Sequence, residues 1–224
     1  MEWETVKELT LSLNPVLIMS HLACADEPRH EMNAMQLQNF RRLTDKINVK
    51  KSLSATGGIL LGPEYHFDLT RPGIGIYGCS PMQDCFSVLK IEIPVIQIRD
   101  IGRGETVGYG CDFIAHRDSQ VAVIGIGYAD GIFRHLGDLE NKPARATVAR
   151  EGQILPLIGR ISMDLTTIDV TDFEGKLEKG MMVELIGQNI KLADVAQRAN
   201  SISYEILTRL GTRYKRYYKQ SDKP

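Results

Sequence analysis

Residues 68–78, Asp-Leu-Thr-Arg-Pro-Gly-Ile-Gly-Ile-Tyr-Gly, separate two parts of the chain that have different sequence patterns. Before this stretch apolar runs alternate with a helical pattern, and after it short strands and turns dominate. Pro72 has no backbone donor and a fixed φ, so it suits the rim of a strand. Arg71 stays charged, and Gly73 and Gly75 allow a ligand to approach the backbone. The stretch therefore predicts either a binding rim for an anionic or heteroaromatic ligand, or a plain strand end with a surface arginine.

The composition is that of an ordinary globular protein of 224 residues, enough for one large domain or two smaller ones. A net charge of −1 gives no electrostatic reason to expect nucleic acid or an anionic membrane as a partner. No apolar run is long enough to cross a bilayer, and the amino terminus lacks a signal-peptide pattern. The histidines form no H-E-x-x-H, so no metal site is expected. The four cysteines form no C-x-x-C motif, so we expect free thiols in a reducing cytoplasm at Cys24, Cys79, Cys85 and Cys111.

The first part of the chain has the alternating strands and helices of a parallel α/β fold. Residues 16–22 form a nearly continuous apolar run, which suits a strand buried on both faces. The order strand, helix, strand, short helix, strand implies parallel pairing. The predicted elements are helices over residues 4–11 and 34–47, a short turn over 59–61, and strands over 16–22, 49–55 and 71–77.

Polar residues lie where several of these elements begin or end. Asn33, followed by Gln36 in a capping-box arrangement, is the predicted N-cap of the second helix. His21 ends the first strand, where a lone histidine is more often a core group than a catalytic one. Thr56 precedes two glycines at a strand end, where a hydroxyl and backbone N–H groups can bind phosphate. That signal is weak by itself.

From about residue 86 the pattern changes to short strands separated by turns. Pro94, within the first of these strands, predicts an edge or a bulge, and Glu151-Gly152 predicts the turn of a hairpin. The tail from Lys215 is basic, and a solvated, fraying end is expected there rather than an arm that binds nucleic acid. Strands are predicted over residues 88–98, 121–128, 144–149, 153–158, 161–170 and 182–186, and helices over 192–199 and 203–210.

Seven short motifs occur in one order along the chain, and together they resemble the alanine racemase family. One motif could arise by chance, but seven in order are very specific, and they cover essentially the whole chain. The motifs are His-Leu-Ala-x-Ala-Asp at 21–26, Asn-Ala-x-Gln-Leu-x-x-Phe at 33–40, Arg-Pro-Gly-Ile-x-x-Tyr-Gly at 71–78, Val-Gly-Tyr-Gly at 107–110, Gly-Tyr-Ala-Asp-Gly at 127–131, Gly-Arg-Ile-Ser-Met-Asp at 159–164 and Ile-Ser-Tyr-Glu at 202–205.

The resemblance implies a fold in two parts, α/β and then mostly β. In the family a (β/α)8 barrel is followed by a β-rich domain, and this chain resembles the last three barrel strands together with the whole second domain. Residues 1–85 are therefore expected to be the C-terminal fragment of a (β/α)8 barrel that binds pyridoxal phosphate. Residues 86–224 are expected to be the β-rich, barrel-like C-terminal domain.

The sequence departs from the family at the lysine that holds the cofactor. In the family, pyridoxal phosphate is bound covalently to a lysine in a motif like V-K-A-N-A-Y-G at the end of the first barrel strand, and nothing here resembles that motif. Lys50 and Lys51 alone lie at a predicted strand, but at its start, away from the active face of such a barrel. The family's substrate-carboxylate arginine, from a middle barrel strand, is also absent.

The resemblance also assigns roles to individual residues. Arg71 would donate to the pyridine nitrogen of the cofactor, and His21 would bridge Arg71 and the catalytic Tyr109, one of two bases that exchange the α-proton. The phosphate would be bound by Thr56, Gly73, Ile74 and Tyr204. The substrate would be contacted by Asp26, Tyr128, Arg134, Arg160, Met163, Asp164 and Ile202. In the family, Tyr109 and several of these residues reach across a homodimer interface, so the complete site needs two chains.

The implied function is the interconversion of L- and D-alanine with pyridoxal phosphate in the bacterial cytoplasm, which supplies D-alanine for peptidoglycan. The chain is expected to act as a homodimer or with a separate N-terminal half, and to be inactive alone because the cofactor lysine is missing. A non-catalytic remnant, or the interaction half of a split racemase, is the alternative. A fold-related pyridoxal-phosphate decarboxylase is disfavoured by Arg71 and Tyr109, since that family uses a carboxylate and a cysteine instead. Substrates other than alanine stay open.

Overall fold

The computed structural model describes residues 2–78, 86–137 and 146–219. The chain divides into two compact units, Met1–Phe86 and Ser87–Pro224. Cys79 and Cys85 lie outside the described residues, whereas Cys24 and Cys111 are free thiols. None of the helices in the described ranges combines the length and the apolar character needed to cross a membrane.

The first unit contains a short parallel sheet. Strand β1 (Leu17–Met19) pairs in parallel with β2 (Lys50–Ser52), and an isolated parallel bridge joins Ala55 to Arg71. Parallel strands need a crossover, which α2 provides between β1 and β2. The predicted parallel pairing of the first two strands is therefore confirmed. The helices are α1 (Glu2–Ser12), α2 (Glu31–Thr44) and α3 (Thr56–Leu61), with 3-10 turns at Pro63–Tyr65 and Ile74–Tyr77.

The core of this unit lies between α2 and the sheet. Leu37 and Phe40 are three residues apart, so they share a helix face, and both are buried with Leu22 and Leu53. The ring of Phe40 meets the ring of Phe67 edge to face, with centroids 5.0 Å apart. This packing holds the ends of the two strands in place, and the polar residues at those ends form part of the site described below.

The prediction of a strand over residues 71–77 is wrong. Arg71 forms a single bridge, and Ile74–Tyr77 is a 3-10 helix that ends at Gly78 in the left-handed conformation. The backbone N–H groups of Gly73 and Gly75 donate to the side chain of Thr56, at 2.9 and 3.3 Å, rather than to a neighbouring strand. A side-chain acceptor from another element therefore turns this segment away from the sheet.

The prediction that residues 16–22 are buried on both faces is also wrong. Strand β1 covers only Leu17–Met19, and Val16 and Met19 are 87% and 64% exposed. Among the described residues of this unit, β1 pairs with β2 alone, so its other edge is open. An exposed apolar strand edge of this kind favours association.

Asn33 is not the N-cap of α2. The helix begins two residues earlier, and the Nδ1 atom of His30 accepts from the backbone N–H of Met32 at 3.1 Å. The amide of Asn33 is buried and donates to the carbonyl oxygens of Cys24 and Glu27, at 3.1 and 3.0 Å. Gln36 likewise accepts from the backbone N–H of Ala23. Both amides therefore fix the loop that follows β1 rather than the start of the helix.

The second unit is a closed antiparallel β-barrel, as the resemblance predicts. Six strands close it in the order β3-β6-β9-β8-β7-β10, and β4 and β5 form a separate two-stranded ribbon. Closure leaves no exposed edge in the barrel. The strands are β3 (Ile91–Ile101), β4 (Thr106–Val107), β5 (Phe113–Ile114), β6 (Ser119–Ile124), β7 (Thr147–Arg150), β8 (Gln153–Ile158), β9 (Thr166–Asp169) and β10 (Met182–Ile186).

The barrel interior is filled by β-branched and leucine side chains from alternating strand positions. Ile124, Val148, Ile168 and Val183 are completely or almost completely buried, as expected for the inward face of a small barrel. The predicted hairpin at residues 151–152 is confirmed, since β7 pairs with β8. The strand predicted over 161–170 is shorter, because residues 161–165 form a loop. Helices α4 (Leu192–Arg198) and α5 (Ser203–Arg209) follow the last strand, as predicted.

Candidate functional site

Arg71 lies beyond the carboxyl end of β2 and is held there by several hydrogen bonds. Its Nη2 atom donates to the carbonyl oxygen of Ser20 at 2.7 Å and to that of Leu53 at 3.4 Å, and Nη1 donates to the hydroxyl of Ser52. The buried Ser52 hydroxyl in turn donates to the carbonyl oxygen of Leu69 at 2.7 Å. None of these bonds uses Nε, so the Nε–H group of Arg71 can donate to a ligand.

His21 is the second polar group at this edge of the sheet. Its Nδ1 atom lies 3.3 Å from Nη2 of Arg71. An arginine only donates, so Nδ1 must be the acceptor, and a neutral His21 therefore carries its proton on Nε2. The side chain is exposed, which leaves this Nε2–H group able to reach a partner. The structure thus brings Arg71 and His21 together, as the resemblance implies.

Thr56 is buried at the start of α3, next to the same strand ends. Its Oγ1 atom accepts from the backbone N–H groups of Gly73 and Gly75. Because Oγ1 acts as acceptor in both bonds, its own proton can be donated elsewhere. The amides of Gly73 and Gly75 are therefore paired with Thr56, and the hydroxyl proton of Thr56 is the donor that can reach a phosphate oxygen. Ile74 follows directly, at the start of the 3-10 helix.

Asp26 and the lysines of β2 lie at different ends of the sheet. Asp26 is exposed in the loop after β1. Lys50 and Lys51 begin β2, and Nζ of Lys51 donates to the carbonyl oxygens of Ile47 and Val49, at 3.2 and 3.4 Å. Arg71 and His21 stand beyond the opposite end of the strands. The Nζ atom of Lys51 is therefore bound at the end of β2 away from Arg71.

In the second unit, three of the quoted motifs pack against one another through their backbones. A Cβ atom on Gly159 would lie 2.8 Å from the carbonyl oxygen of Val107, and one on Gly108 would lie 3.1 Å from the backbone nitrogen of Arg160. The backbone N–H groups of Tyr128 and Ala129 donate to the carbonyl oxygens of Ser162 and Met163, at 3.0 and 2.9 Å. The loops that contain Tyr109, Tyr128 and Met163 therefore form one continuous surface.

Gly127 makes the closest of these backbone contacts, and a substitution there tests the loop packing directly. A Cβ atom there would lie 2.3 Å from the carbonyl oxygen of Met163, whereas φ is −151°, which any residue adopts. We expect Gly127→Ala to lower the free energy of unfolding by about 1–3 kcal/mol, because the loops must separate. Urea unfolding measures the change. Gly211→Ala is the control, since nothing lies within 4 Å of a Cβ there, and an equal effect of both changes would contradict the packing argument.

Tyr109 is presented to solvent by an unusual backbone. It begins a 3-10 turn between Gly108 and Gly110, which have φ of 83° and 77°, and its side chain is 70% exposed. Positive φ values favour glycine, so both flanking glycines are needed for this turn. The tyrosine is not a core aromatic residue, which leaves its hydroxyl available for chemistry.

Arg160 is paired with a carboxylate that the sequence analysis did not single out. Its guanidinium binds both oxygens of Asp112, with Nη2 3.2 Å from Oδ1 and a second bond from Nε to Oδ2. Two parallel bonds of this kind fix the plane of the guanidinium. Asp112 lies two residues after the Val-Gly-Tyr-Gly motif, which is the only signal that could have found it.

The remaining predicted substrate residues lie on two elements of the same unit. Arg134 is exposed at the start of a 3-10 helix, Arg134–Leu136. Ile202 is the N-cap of α5 and is exposed, and Tyr204 lies in the first turn of that helix. Tyr204 therefore belongs to the second unit, whereas the other predicted phosphate ligands, Thr56 and Gly73 among them, belong to the first.

Two family models match this chain. The model for the alanine racemase N-terminal domain matches residues 2–81, and the model for the alanine racemase C-terminal domain matches residues 88–218. The chain belongs to the alanine racemase family. The resemblance drawn from the seven motifs is therefore confirmed.

Individual alanine racemases are similar over nearly the whole chain. The alanine racemase of Ruegeria sp. is 49% identical over 217 residues, which are 97% of this chain and 61% of the relative. The biosynthetic alanine racemase of Agrobacterium fabrum is 44% identical over 94% of this chain and 57% of the relative. The alanine racemase of Bartonella henselae, whose structure contains covalently bound pyridoxal phosphate, has 40% identity and a TM-score of 0.87 over 96% of this chain and 60% of its own. The chain thus spans about 60% of the length of these alanine racemases.

An arginine that the sequence analysis missed joins two of the alanine racemase motifs. Nη1 of Arg213 lies 2.7 Å from Oδ1 of Asp164, and Nε lies 3.3 Å from Oδ1 of Asp130. The hydrogen bond from Arg213 to Asp164, and the nearby charge of Asp130, raise the pKa of Arg213. No motif marks this residue, which lies just before the tail that was expected to fray. That expectation is wrong for Arg216, which donates to the carbonyl oxygens of Leu210 and Gly211.

Tyr214, next to Arg213, gives a pH-dependent prediction for this alanine racemase unit. Burial and the charge of Asp130 raise the pKa of Tyr214 to about 12, although Arg213 opposes them, and an unfolded tyrosine has a pKa of about 10. Folding therefore favours the neutral phenol, and the free energy of unfolding falls as pH rises from about 10 to about 12. Urea unfolding at each pH should show a smaller fall for Tyr214→Phe. Identical pH dependence in both proteins would contradict the assignment.

An apolar cavity of about 30 Å³ lies apart from the predicted racemase residues. Its lining is almost entirely hydrocarbon, which does not suit a zwitterionic amino acid. Among the described residues, none of the predicted catalytic, phosphate or substrate residues lines it. Residues of the barrel, α4 and α5 do so, including Ile91, Leu136, Leu157, Val195, Ile206 and Tyr214.

Proposed function

We propose that this chain carries one part of the active site of an alanine racemase, which interconverts L- and D-alanine with pyridoxal phosphate. The observation that carries the proposal is the position of Arg71, a fixed cation at the carboxyl ends of parallel strands with His21 as its acceptor. Ligands of barrels of this kind bind at that end of the strands. The same chain holds Tyr109 on an exposed turn between two glycines.

The residues present fit pyridoxal phosphate, because they offer donors for both of its ends. When bound, pyridoxal phosphate supplies an electron sink that makes the α-proton of an amino acid more acidic. Arg71 would donate from its Nε edge to the ring nitrogen, and an arginine does not give up its proton, so that nitrogen stays neutral. The phosphate would be bound by the Thr56 hydroxyl, the backbone at Gly73 and Ile74, and Tyr204.

Tyr109 would move the α-proton on one face of the substrate, and a lysine outside the printed sequence would do so on the other. A phenol accepts a proton in its ionised form, which nearby positive charge favours. Arg71, through His21, would supply that charge. We propose that Tyr109 acts on the barrel of a second copy in a homodimer, so that each complete site uses two chains.

Substrate contacts are proposed for residues of both units. Met163 and Tyr128 lie on the joined loops beside Tyr109, and would close the site around a small side chain. Arg160, with its charge balanced by Asp112, would act as a directed donor rather than as a free cation. Asp26, Arg134, Asp164 and Ile202 would line the approach to the site.

Binding of pyridoxine 5′-phosphate tests the cofactor part of this proposal. This compound has the same ring and phosphate as the cofactor but no aldehyde, so surface lysines do not capture it. We expect the full chain to bind it in isothermal titration calorimetry. Thr56→Val and Arg71→Met should each weaken binding by about 10–100-fold, the loss of a charge-assisted hydrogen bond of roughly 1.5–3 kcal/mol.

Thr44→Val is the matched control for Thr56, because Thr44 is also a buried threonine, but its hydroxyl donates within α2, to the carbonyl oxygen of Phe40. Its affinity should equal that of the wild-type chain. No binding by the wild type, or equal losses in the Thr44 and Thr56 variants, would count against a cofactor site at this edge of the sheet.

A further inference from the structure

Two loops of the second unit each place a carboxylate next to Arg213. Asp130 ends the Gly-Tyr-Ala-Asp segment, and Asp164 ends the Gly-Arg-Ile-Ser-Met-Asp segment. Arg213 contacts both, with Nη1 2.7 Å from Oδ1 of Asp164 and Nε 3.3 Å from Oδ1 of Asp130. We call these three residues the Arg213 network. One cation, from beyond α5, thus joins two loops that are distant in sequence.

The Asp130 carboxylate is the buried member of the network. Its residue is 7% exposed, and its Oδ2 atom accepts from the backbone N–H of Gly127 at 2.9 Å. One oxygen therefore fixes the backbone at the start of the loop, and the other faces Arg213. A buried carboxylate needs a cation or several donors to stay charged, and Arg213 is the cation that contacts it.

The Asp164 carboxylate is the exposed member. The side chains of Asp164 and Arg213 are both 52% exposed, and an exposed pair of this kind adds little to the stability of a fold. The pair does, however, connect the residue after Met163, through Arg213, to the buried carboxylate of Asp130. Its effect should therefore fall on the position of the loop more than on the free energy of unfolding.

We propose that Arg213 is a positioning residue, which uses Asp130 as an anchor to fix the loop that carries Met163 and Asp164. This inference rests on the proposed function, because Met163 and Asp164 are proposed substrate contacts. Arg213 itself does not act on the substrate. It keeps the loop in the arrangement in which the backbone N–H groups of Tyr128 and Ala129 donate to the carbonyl oxygens of Ser162 and Met163.

Hydrogen exchange in the full chain tests the positioning directly and needs no activity. In Arg213→Met we expect the amides of Tyr128 and Ala129 to exchange several-fold faster relative to the amides of the barrel strands, which report the free energy of global unfolding. Arg213→Lys should restore part of the protection, because a lysine can pair with one carboxylate at a time. Arg117→Met is the matched control, since Arg117 pairs with the single exposed carboxylate of Asp172, and it should leave these amides unchanged.

Kinetics of a complete racemase containing this chain test the consequence. Arg213→Met should raise the KM for alanine by about 5–10-fold and change kcat by less than about twofold, because the loop binds substrate without moving a proton. Unchanged exchange in Arg213→Met, or faster exchange with an unchanged KM, would overturn the proposal. A wild-type complete enzyme that does not racemise alanine would instead overturn the proposed function, while the exchange data would still report whether Arg213 fixes the loop.

Discussion

Tyr109→Phe, made in a complete racemase that contains this chain, is expected to slow racemisation by about 10²–10⁴-fold, the usual contribution of a positioned general base. The substitution removes one oxygen from an exposed ring on a turn set by two glycines, so the fold should not change. Binding of pyridoxine 5′-phosphate should also be unchanged. Loss of the α-deuterium of L- and D-alanine, measured separately, should show a larger effect for one enantiomer.

The control for Tyr109→Phe is Tyr217→Phe. Tyr217 is also a highly exposed tyrosine of the second unit, and the Nζ atom of Lys215 lies 5.1 Å from the centre of its ring. This variant should keep full activity. If Tyr109→Phe racemised alanine as fast as the Tyr217 variant, the assignment of Tyr109 as a base would be wrong.

Arg71→Glu is expected to change which reaction occurs as well as its rate. A carboxylate beside the ring nitrogen favours the protonated nitrogen, which makes the cofactor a stronger electron sink and promotes transamination. The new side chain would also face the carbonyl oxygens of Ser20 and Leu53, which now accept from Arg71. We expect racemisation to fall sharply, and the ratio of pyruvate to D-alanine to rise.

Arg71→Lys separates the effect of charge from that of shape. A lysine keeps the positive charge but lacks the planar guanidinium, which donates to Ser20, Leu53 and Ser52 at the same time. It should slow racemisation without raising pyruvate release. The product ratio is measured with lactate dehydrogenase and D-amino acid oxidase assays. An unchanged ratio in Arg71→Glu would show that Arg71 does not contact the ring.

The features predicted correctly from the sequence are those set by neighbouring residues. The apolar strands of the barrel and the turn at Glu151-Gly152 follow from local periodicity and from the left-handed conformation of both turn residues. The expectation that Arg71 and His21 lie together comes instead from the family resemblance, since the motifs at 71–78 and 21–26 contain these two residues. The strands and the turn need only the pattern of one segment and a general rule of packing.

The features predicted wrongly depend on side chains that act across the fold. The strand expected after Arg71 is replaced by a 3-10 helix because the Thr56 hydroxyl captures two backbone amides. Asn33 matches a capping pattern, but its amide is used by the loop after β1. Arg213 has no local signal, because both of its carboxylate partners belong to distant loops. No single segment of sequence contains that information.

The central claim is that this chain supplies Arg71, His21, Thr56 and Tyr109 to a racemase site but does not supply the cofactor lysine. The direct test uses the purified chain, made in a host without alanine racemase, and the part of the Ruegeria racemase that the chain does not match. D-alanine formation from L-alanine is measured for each part with pyridoxal phosphate, and for the mixture. The account predicts racemisation by the mixture alone, with borohydride fixing the cofactor to the Ruegeria part. Racemisation by the chain without that part, or none by the mixture, would contradict it.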